Sequence, residues 1–300
     1  MELRHLRYFI AVAEELHFQR AAKRLHIEQS PLSRAIKDLE NHLGVRLLER
    51  TTRCTTITKA GQIFLAESRR ILATVEQAKS AIKSASLGYS QQLRIAITDG
   101  VPQHRVSMLI SKQRQLNNEL DVRLYEMTAT KLQEAIHSRE IDLGLALHAP
   151  EDVRIESAPL WHDGLCALLP GNHLLARSDE FSLAELSNYP LILPEAKGVN
   201  SVHTQIHRMV RQTNKHVNVL QLTNSISLMM TLVASGLGIG FASMAQLSGH
   251  GHTDVVIKPL TGHSPVTTTY MLHHAQEIPA AVLSFMKLLE DDIPALPKLA

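Results

Sequence analysis

Residues Phe18 to Arg53 read FQRAAKRLHIEQSPLSRAIKDLENHLGVRLLERTTR. Ala21, Ala22 and Leu25 recur at helical spacing before Ile27-Glu28-Gln29 breaks the pattern. Leu32, Ile36, Leu39 and Leu43 then mark one face of a second helix. Two short amphipathic helices joined by a tight turn make a helix-turn-helix. Ser30-Pro31 is expected to head the second helix, with serine as N-cap and proline at the first helical position, where its missing N–H is not needed. Gln29, Ser30, Ser33, Arg34 and Lys37 surround that head, with Pro31 among them. They are the short or flexible donors and acceptors that a helix entering a major groove by its N-terminus requires. Beyond Leu43, Val45–Arg50 and Thr55–Thr58 read as a two-stranded ribbon turning at Thr51-Thr52-Arg53. This is a wing with Arg53 at its tip, where an arginine suits a narrow minor groove.

Upstream, Leu3–Glu15 reads as a helix with Leu3, Leu6, Phe9, Ile10 and Ala13 on one face, packed under the other two. After the wing, Thr58 to about Leu87 is a long run without proline. Ile63, Ala66, Ile71, Val75, Ala78, Ala81 and Ile82 approximate a heptad stripe. A helix of about thirty residues spans about 45 Å and needs a partner for that stripe. Residues Ser84–Ser90 read as a hinge.

The net charge of +2 hides a split: Met1–Gly88 carries 15 Lys/Arg against 9 Asp/Glu, net +6, and Tyr89–Ala300 carries 16 against 20, net −4. A basic head on an acidic body points to a polyanion-binding module joined to something else. The 300 residues leave room for more than one core. Met1–Ile10 has no apolar signal core and no run of about eighteen apolar residues occurs, so no membrane partner is expected. Two distant cysteines, Cys54 and Cys166, imply no disulfide framework and fit a reducing cytoplasm.

From Leu93 the pattern alternates strand and helix. Strands are expected at Leu93–Thr98, Asp121–Met127 and Asp142–Leu147, with helices at Val106–Leu116 and from Thr130, which makes a capping box with Gln133, to His137. A second unit begins near Leu165. Its strands are Leu165–Leu169, Leu191–Leu193, Val219–Leu222, Ile239–Ala242 and Val255–Ile257, and its helices start near Ser182, Asn200 and Ser225. Val266–His273 and a helix near Pro279–Leu289 return the chain. A mostly parallel sheet with helices on both faces is expected.

Residues 1 to 61 resemble the DNA-binding domain of the LysR-type transcriptional regulators. The resemblance rests on Leu3, Leu6, Phe9, Val12, Ala13, Phe18, Ala21, Ala22, Leu25, Gln29, Ser33, Leu39, Glu40, Gly44, Leu47, Arg50, Thr58 and Gly61. The opening MELRHLRYF resembles the subgroup answering to aromatic acids and their ring-cleavage products, although Ser30 stands where that subgroup carries proline. The rest of the chain resembles the family's effector-binding domain, chiefly through IDLGLAL (141–147) and ASGLGIGFA (234–242). Two departures stand out. Arg139 replaces a glycine, so the helix before DLGLAL is expected to end by another route. Ser243 replaces a proline.

The resemblance implies an α/β chain with an N-terminal all-α winged helix-turn-helix (1–58). A long linker or dimerisation helix and hinge (59–88) follow. A two-lobed effector domain built like a periplasmic binding protein (89–300) completes the chain, with lobe I at 89–161 and 267–300 and lobe II at 162–266. It implies a cytoplasmic regulator and no enzyme. Its partners would be double-stranded promoter DNA, itself as dimer and tetramer, and RNA polymerase. Gln29, Ser33 and Arg34 would contact bases, Arg20, Lys37, Arg50 and Thr52 phosphates, and Arg53 the minor groove.

Ligands of α/β domains sit outside the carboxyl ends of strands, against helix N-termini. Three stretches meet that description: Thr98-Asp99-Gly100, Thr128-Ala129-Thr130, and 198–202 with Asn200, Ser201 and Val202. Their hydroxyls and N–H groups suit a small carboxylate, and the resemblance implies an aromatic or dicarboxylic acid. Thr128, Thr130 and Asn200 also have a plainer role as helix caps. No cofactor or metal is expected. Gly236-Leu237-Gly238-Ile239-Gly240 lies between a helix and a strand, the reverse of a dinucleotide loop. His250-Gly251-His252 and His273-His274 lack a second ligand cluster and read as surface histidines. Two other classes fit parts of the pattern. A solute-binding enzyme or transport receptor needs an export signal or a catalytic constellation. An effector-independent architectural DNA-binding protein would not need the acidic body.

Overall fold

Phe9, Val12, Ala21, Leu32, Ile36 and Leu39 are the buried centre of the first core, and the helical periodicities select all of them but Val12. They come from α1 (Leu3–Glu15), α2 (Phe18–Arg24) and α3 (Gln29–Leu43). In this computed structural model, residues 1–50, 55–116, 119–177, 182–195, 202–211, 216–223, 225–248, 253–260, 265–276 and 278–290 are described. They fall into two units, Met1–Gly88 with Glu134–Ile141, and Tyr89–Gln133 with Asp142–Ala300.

In the first unit α1 opens with a reciprocal cap between Glu2 and His5. It ends at Leu16, which takes a left-handed conformation at φ 48°. The Nδ1 of His17 caps α2 by accepting from the Arg20 N–H. The N-cap of α3 is Glu28, so Ser30 and Pro31 occupy the second and third helical positions rather than the cap and the first. Proline is tolerated there for the expected reason, because all N–H groups of the first turn lack helical acceptors. Gly44 closes α3 at φ 68°, a conformation natural to glycine. Strands β1 (Leu48–Arg50) and β2 (Thr55–Ile57) pair antiparallel, Leu48 opposite Ile57, as the wing. Two devices fix its root. The Glu40 carboxylate accepts the N–H groups of Leu47 and Leu48 at 2.8 and 3.1 Å, and the Thr58 hydroxyl donates toward the Arg46 and Leu47 carbonyls. The same Thr58 oxygen caps α4 (Lys59–Ser86). At Gly61 a Cβ would lie 2.1 Å from the Leu47 carbonyl oxygen, so only glycine lets α4 pass the wing. Phe64 of α4 meets Phe9 at 5.2 Å between ring centroids. Burial alone would raise the Glu14 carboxyl, but the hydrogen bonds and charges of Arg69 and Arg24 outweigh it and lower its pKa.

From Tyr89 the chain runs β3 (Gln91–Ile97), α5 (Gln103–Leu116), β4 (Leu120–Glu126), α6 (Ala129–His137, whose residues from Glu134 group with the first unit), β5 (Leu143–Ala146) and β6 (Ile155–Pro170). After a 3-10 turn at Leu174–Arg177 come α7 (Leu183–Leu186), β7 (Leu191–Pro194), α8 (Val202–Arg211), β8 (Val219–Thr223), α9 (Ile226–Ala234) and β9 (Ile239–Ser243). The chain continues through α10 (Met244–Leu247), β10 (Val255–Pro259), β11 (Val266–His274) and α11 (Ala280–Glu290). The expected strands are present, but the sheet is not mostly parallel. Its order is β4-β3-β5-β11-β6-β9-β7-β8, with β10 on β6. Among the described residues its four parallel ladders are matched by four antiparallel ones.

The reason for the mixed sheet is β6. It is one strand of 16 residues, not a short one starting near Leu165. Residues 155–164 pair with β11, while residues 165–170 pair with β9 and β10. Two antiparallel crossing strands therefore join two parallel trios, each with its own core. Leu93, Ile95, Trp161 and Phe285 centre one, and Leu169, Leu193, Ile206 and Phe241 the other.

Two caps differ from expectation. Thr128, not Thr130, caps α6, its hydroxyl accepting from the Lys131 N–H at 3.4 Å. At the other end, Arg139 occupies the left-handed region at φ 59°, its N–H on the Ile136 carbonyl and that of Glu140 on Ala135. The helix ends by the glycine-type turn after all, with an arginine in it. His273 is buried in β11, not on the surface, its Nδ1 3.1 Å from the His274 carbonyl. Residues 250–252 and 291–300 lie outside the described residues.

Candidate functional site

The exposed face of α3 follows from its buried one. With Leu32, Ile36 and Leu39 packed inward, Gln29, Ser30, Pro31, Arg34 and Lys37 are exposed and Ser33 is half-buried. A groove lined by His17, Gln19, Arg20, Lys23, Ile27, Glu28 and Gln29 runs beside this head, between α2 and α3. Arg20 is exposed, but its guanidinium bonds the Glu15 carbonyl at 2.6 Å and its carboxylate at 3.5 Å. Arg50 closes β1 at the edge of the wing. Thr52 and Arg53 lie outside the described residues. The chemistry on offer is a row of amide, hydroxyl and guanidinium groups at a helix N-terminus, where the backbone contributes partial positive charge.

In the second unit the loops after β3 and β4 lie side by side at the carboxyl ends of adjacent parallel strands. The Met127 N–H donates to the Ile97 carbonyl at 3.1 Å, and the Thr98 N–H to Leu145 at 3.0 Å. The structure thus brings Thr98–Gly100 next to Thr128–Thr130. Thr98 is buried, Asp99, Thr128 and Thr130 are exposed, and Gly100 sits at φ 82°. The Asp99 carboxylate accepts its own loop's Gly100 N–H at 2.9 Å. Asn200 and Ser201 lie outside the described residues, and Val202 opens α8.

The sequence reading missed other polar groups of this unit. His148 follows β5 at the same end of the sheet, half-buried, and burial lowers its pKa. The rule that selected Thr98 and Thr128 selects it too, since it follows DLGLAL directly. His162 and Thr268 face each other across the crossing strands, with 3.0 Å between Nδ1 and Oγ1. The Cys166 thiol is buried and its pKa is raised by that burial. No helix among the described residues is long and apolar enough to cross a membrane.

Comparison with known proteins gives two family matches. The family model "Bacterial regulatory helix-turn-helix protein, lysR family" matches residues 3–62, and "LysR substrate binding domain" matches residues 87–293. The transcriptional regulator YnfL of Escherichia coli is 34% identical over 284 residues, 94% of this chain and 95% of its own. HcaR, the Hca operon transcriptional activator of E. coli, is 30% identical over 99% of both chains. CatR of Pseudomonas putida is 34% identical over 85% of this chain and 86% of its own. Among solved structures, the LysR family regulator CbnR covers 98% of this chain and all of its own, with a TM-score of 0.74 at 23% identity. That likeness speaks for the fold. Full-length BenM covers 97% of this chain and 96% of its own, with a TM-score of 0.57 at 26% identity.

Proposed function

The chain belongs to the LysR family of DNA-binding transcriptional regulators and is not an enzyme, and from that premise we propose how its own residues divide the work. A dimer grips duplex promoter DNA with two copies of α3 in successive major grooves. Gln29, Ser33 and Arg34 read base edges, with Ser30 and Pro31 forming the approaching helix end. Arg20, Lys37, Arg50 and Thr52 hold phosphates, and Arg53 enters the flanking minor groove. The observation that carries this reading is the exposed polar head of α3 above its buried Leu32–Ile36–Leu39 face.

The partner for the dimer is a second α4. Ile63 is 62% exposed and Ile82 is 72% exposed, apolar groups that a helix of 28 residues cannot shield by itself. The second unit works as two lobes, 89–161 with 267–300 and 162–266, exchanging chain through β6 and β11. A small aromatic or dicarboxylic acid binds between them, on Thr98, Asp99, Gly100, Thr128 and Thr130 from one side and Asn200, Ser201 and Val202 from the other. Asp99 contributes through its loop, since its carboxylate serves the Gly100 N–H. The opening MELRHLRYF supports the aromatic-acid side of this reading, through the subgroup it resembles. The acid acts by its differential affinity for two lobe arrangements, and these change how dimers assemble into a tetramer on DNA. The setting is the cytoplasm, with RNA polymerase as the downstream contact.

Gel-shift titration of the promoter beside the protein's own gene tests the head. Arg34→Ala is expected to reduce specific binding by about 1–3 kcal/mol while leaving non-specific binding nearly intact. Unchanged discrimination would remove Arg34 from base reading. Calorimetry with benzoate and cis,cis-muconate tests the cleft, and absence of heat with both would sink the acid reading.

A further inference from the structure

Ser243 is where this chain parts from the proline expected at the end of its second motif, and the structure gives that departure a use. Ser243 is fully buried between β9 and α10. Its N–H donates to the Gln246 Oε1 at 2.9 Å, and the Gln246 N–H returns to the Ser243 Oγ at 3.2 Å. A proline at this position has no N–H to give. With Oε1 held, the other end of the carboxamide is aimed: Nε2 donates to the Gly100 carbonyl at 2.8 Å, across 146 residues of chain. Both ends of one side-chain amide are therefore engaged, one on its own helix cap and one on the loop after β3. Gln246 is 9% exposed, so water competes little for these bonds.

The contact lies beside the passage of chain between the two halves of the sheet. Ser243 pairs with Leu165 of β6. Two residues before Leu165, Asp163 forms an ion pair with Arg105 of α5, and Arg105 also lies over the Trp161 ring, 5.5 Å from its centroid. Arg105 belongs to the first turn of the helix that the Thr98–Gly100 loop leads into, its N–H on the Pro102 carbonyl. The Gly100 loop is itself closely seated, since a Cβ on Gly100 would come within 2.8 Å of the Leu147 side chain.

We propose that Gln246 is a positioning residue: it ties α10, in the second half of the sheet, to the Thr98–Gly100 loop of the first half and so sets the lobe arrangement that an effector must alter. The inference deepens the effector reading above, because it names the element through which that loop is coupled to the other lobe. The physical argument is geometric. An N–H···O bond is effective over only a few tenths of an ångström around 2.9 Å. A rotation that shifts α10 against the Gly100 loop by about 1 Å therefore breaks it. A tie present in one arrangement and broken in the other biases the equilibrium between them.

Gln246→Glu separates the two duties of the side chain in the full-length protein, free of ligand and DNA. The carboxylate keeps the acceptor for the Ser243 N–H and has no donor for Gly100. Trp161 is the single tryptophan of the chain, so its fluorescence reports on the crossing. Gln246→Glu is expected to speed amide exchange in the segment 98–106 by about 2- to 10-fold, the range of one hydrogen bond. It should also red-shift Trp161 emission, while exchange in 243–248 stays as in the parent. Ser243→Ala, which retains the backbone N–H and therefore the tie, should speed exchange in 243–248 only. Absence of either change in Gln246→Glu overturns the proposal. So does a Ser243→Ala variant that reproduces both, because the contact would then be no more than part of the α10 cap. Neither readout uses an effector, so failure of the acid reading would be seen separately in calorimetry.

Discussion

Arg139 ends α6 in the left-handed turn natural to glycine, at φ 59°. The turn's two hydrogen bonds, Arg139 to Ile136 and Glu140 to Ala135, engage carbonyls of the last helical turn. An L-residue in that region is disfavoured by about 1–2 kcal/mol, and glycine in the unfolded chain regains part of that advantage. Arg139→Gly is therefore expected to stabilise the protein by about 1 kcal/mol, raising Tm by about 2–4 °C for a domain of this size. A fall in Tm would mean that the arginine side chain contributes more than its backbone conformation loses. The same residue-scale logic accounts for the two-position offset at the head of α3. Ser30-Pro31 carries a helix-start signal, but Glu28 takes the cap position without a side-chain bond. Pro31 fits anywhere in the first turn, so the dipeptide marks that turn and not its first residue.

At the scale of elements, periodicity identified what is amphipathic and failed for what is buried on both faces. The span Leu3–Glu15 is that of α1 itself, because one buried face and one wet face leave a clear trace. In β6, residues 165–170 are all buried and Leu165–Leu169 reads as a strand, whereas residues 156–159 are exposed or half-buried and carry no apolar run. Nothing local announces that the two pieces are one strand, because its continuity is imposed by pairing with β11 and β9. The linker helix is the opposite case. Its heptad-like stripe is legible in the sequence, and in the single chain Ile63, Ala66, Ala78, Ala81 and Ile82 of that stripe are exposed, Ile82 at 72%, while Ile71 and Val75 are half-buried. Replacing Ile82 with glutamate places two like charges in the proposed α4–α4 seam without disturbing any buried contact of the monomer. Sedimentation velocity is expected to show at least a tenfold weaker dimer, corresponding to about 1.4 kcal/mol, with the thermal transition of the effector domain unchanged. A dimer of undiminished affinity would place the subunit contact elsewhere on the chain.

For the whole molecule, the charge split gives the most direct test of how the head meets DNA. The first 88 residues carry net +6 and the rest net −4, so the acidic body opposes close approach except where the head presents cations. Arg34 and Lys37 are both exposed on α3, one turn apart, yet they are assigned different work. A guanidinium that pairs with a base edge changes discrimination between sequences, whereas an ammonium on a phosphate displaces a counterion and changes the dependence on salt. Lys37→Ala should weaken cognate and unrelated duplexes by nearly the same factor. For a dimer it should reduce the slope of log K against log[salt] by about 2, one per subunit. Fluorescence anisotropy of a labelled promoter across a salt series measures both quantities together. An unchanged slope with lost sequence preference would exchange the roles of the two residues. It would also mean that α3 lies in the groove rotated by about 60° about its axis, the angular offset between residues three apart in an α-helix.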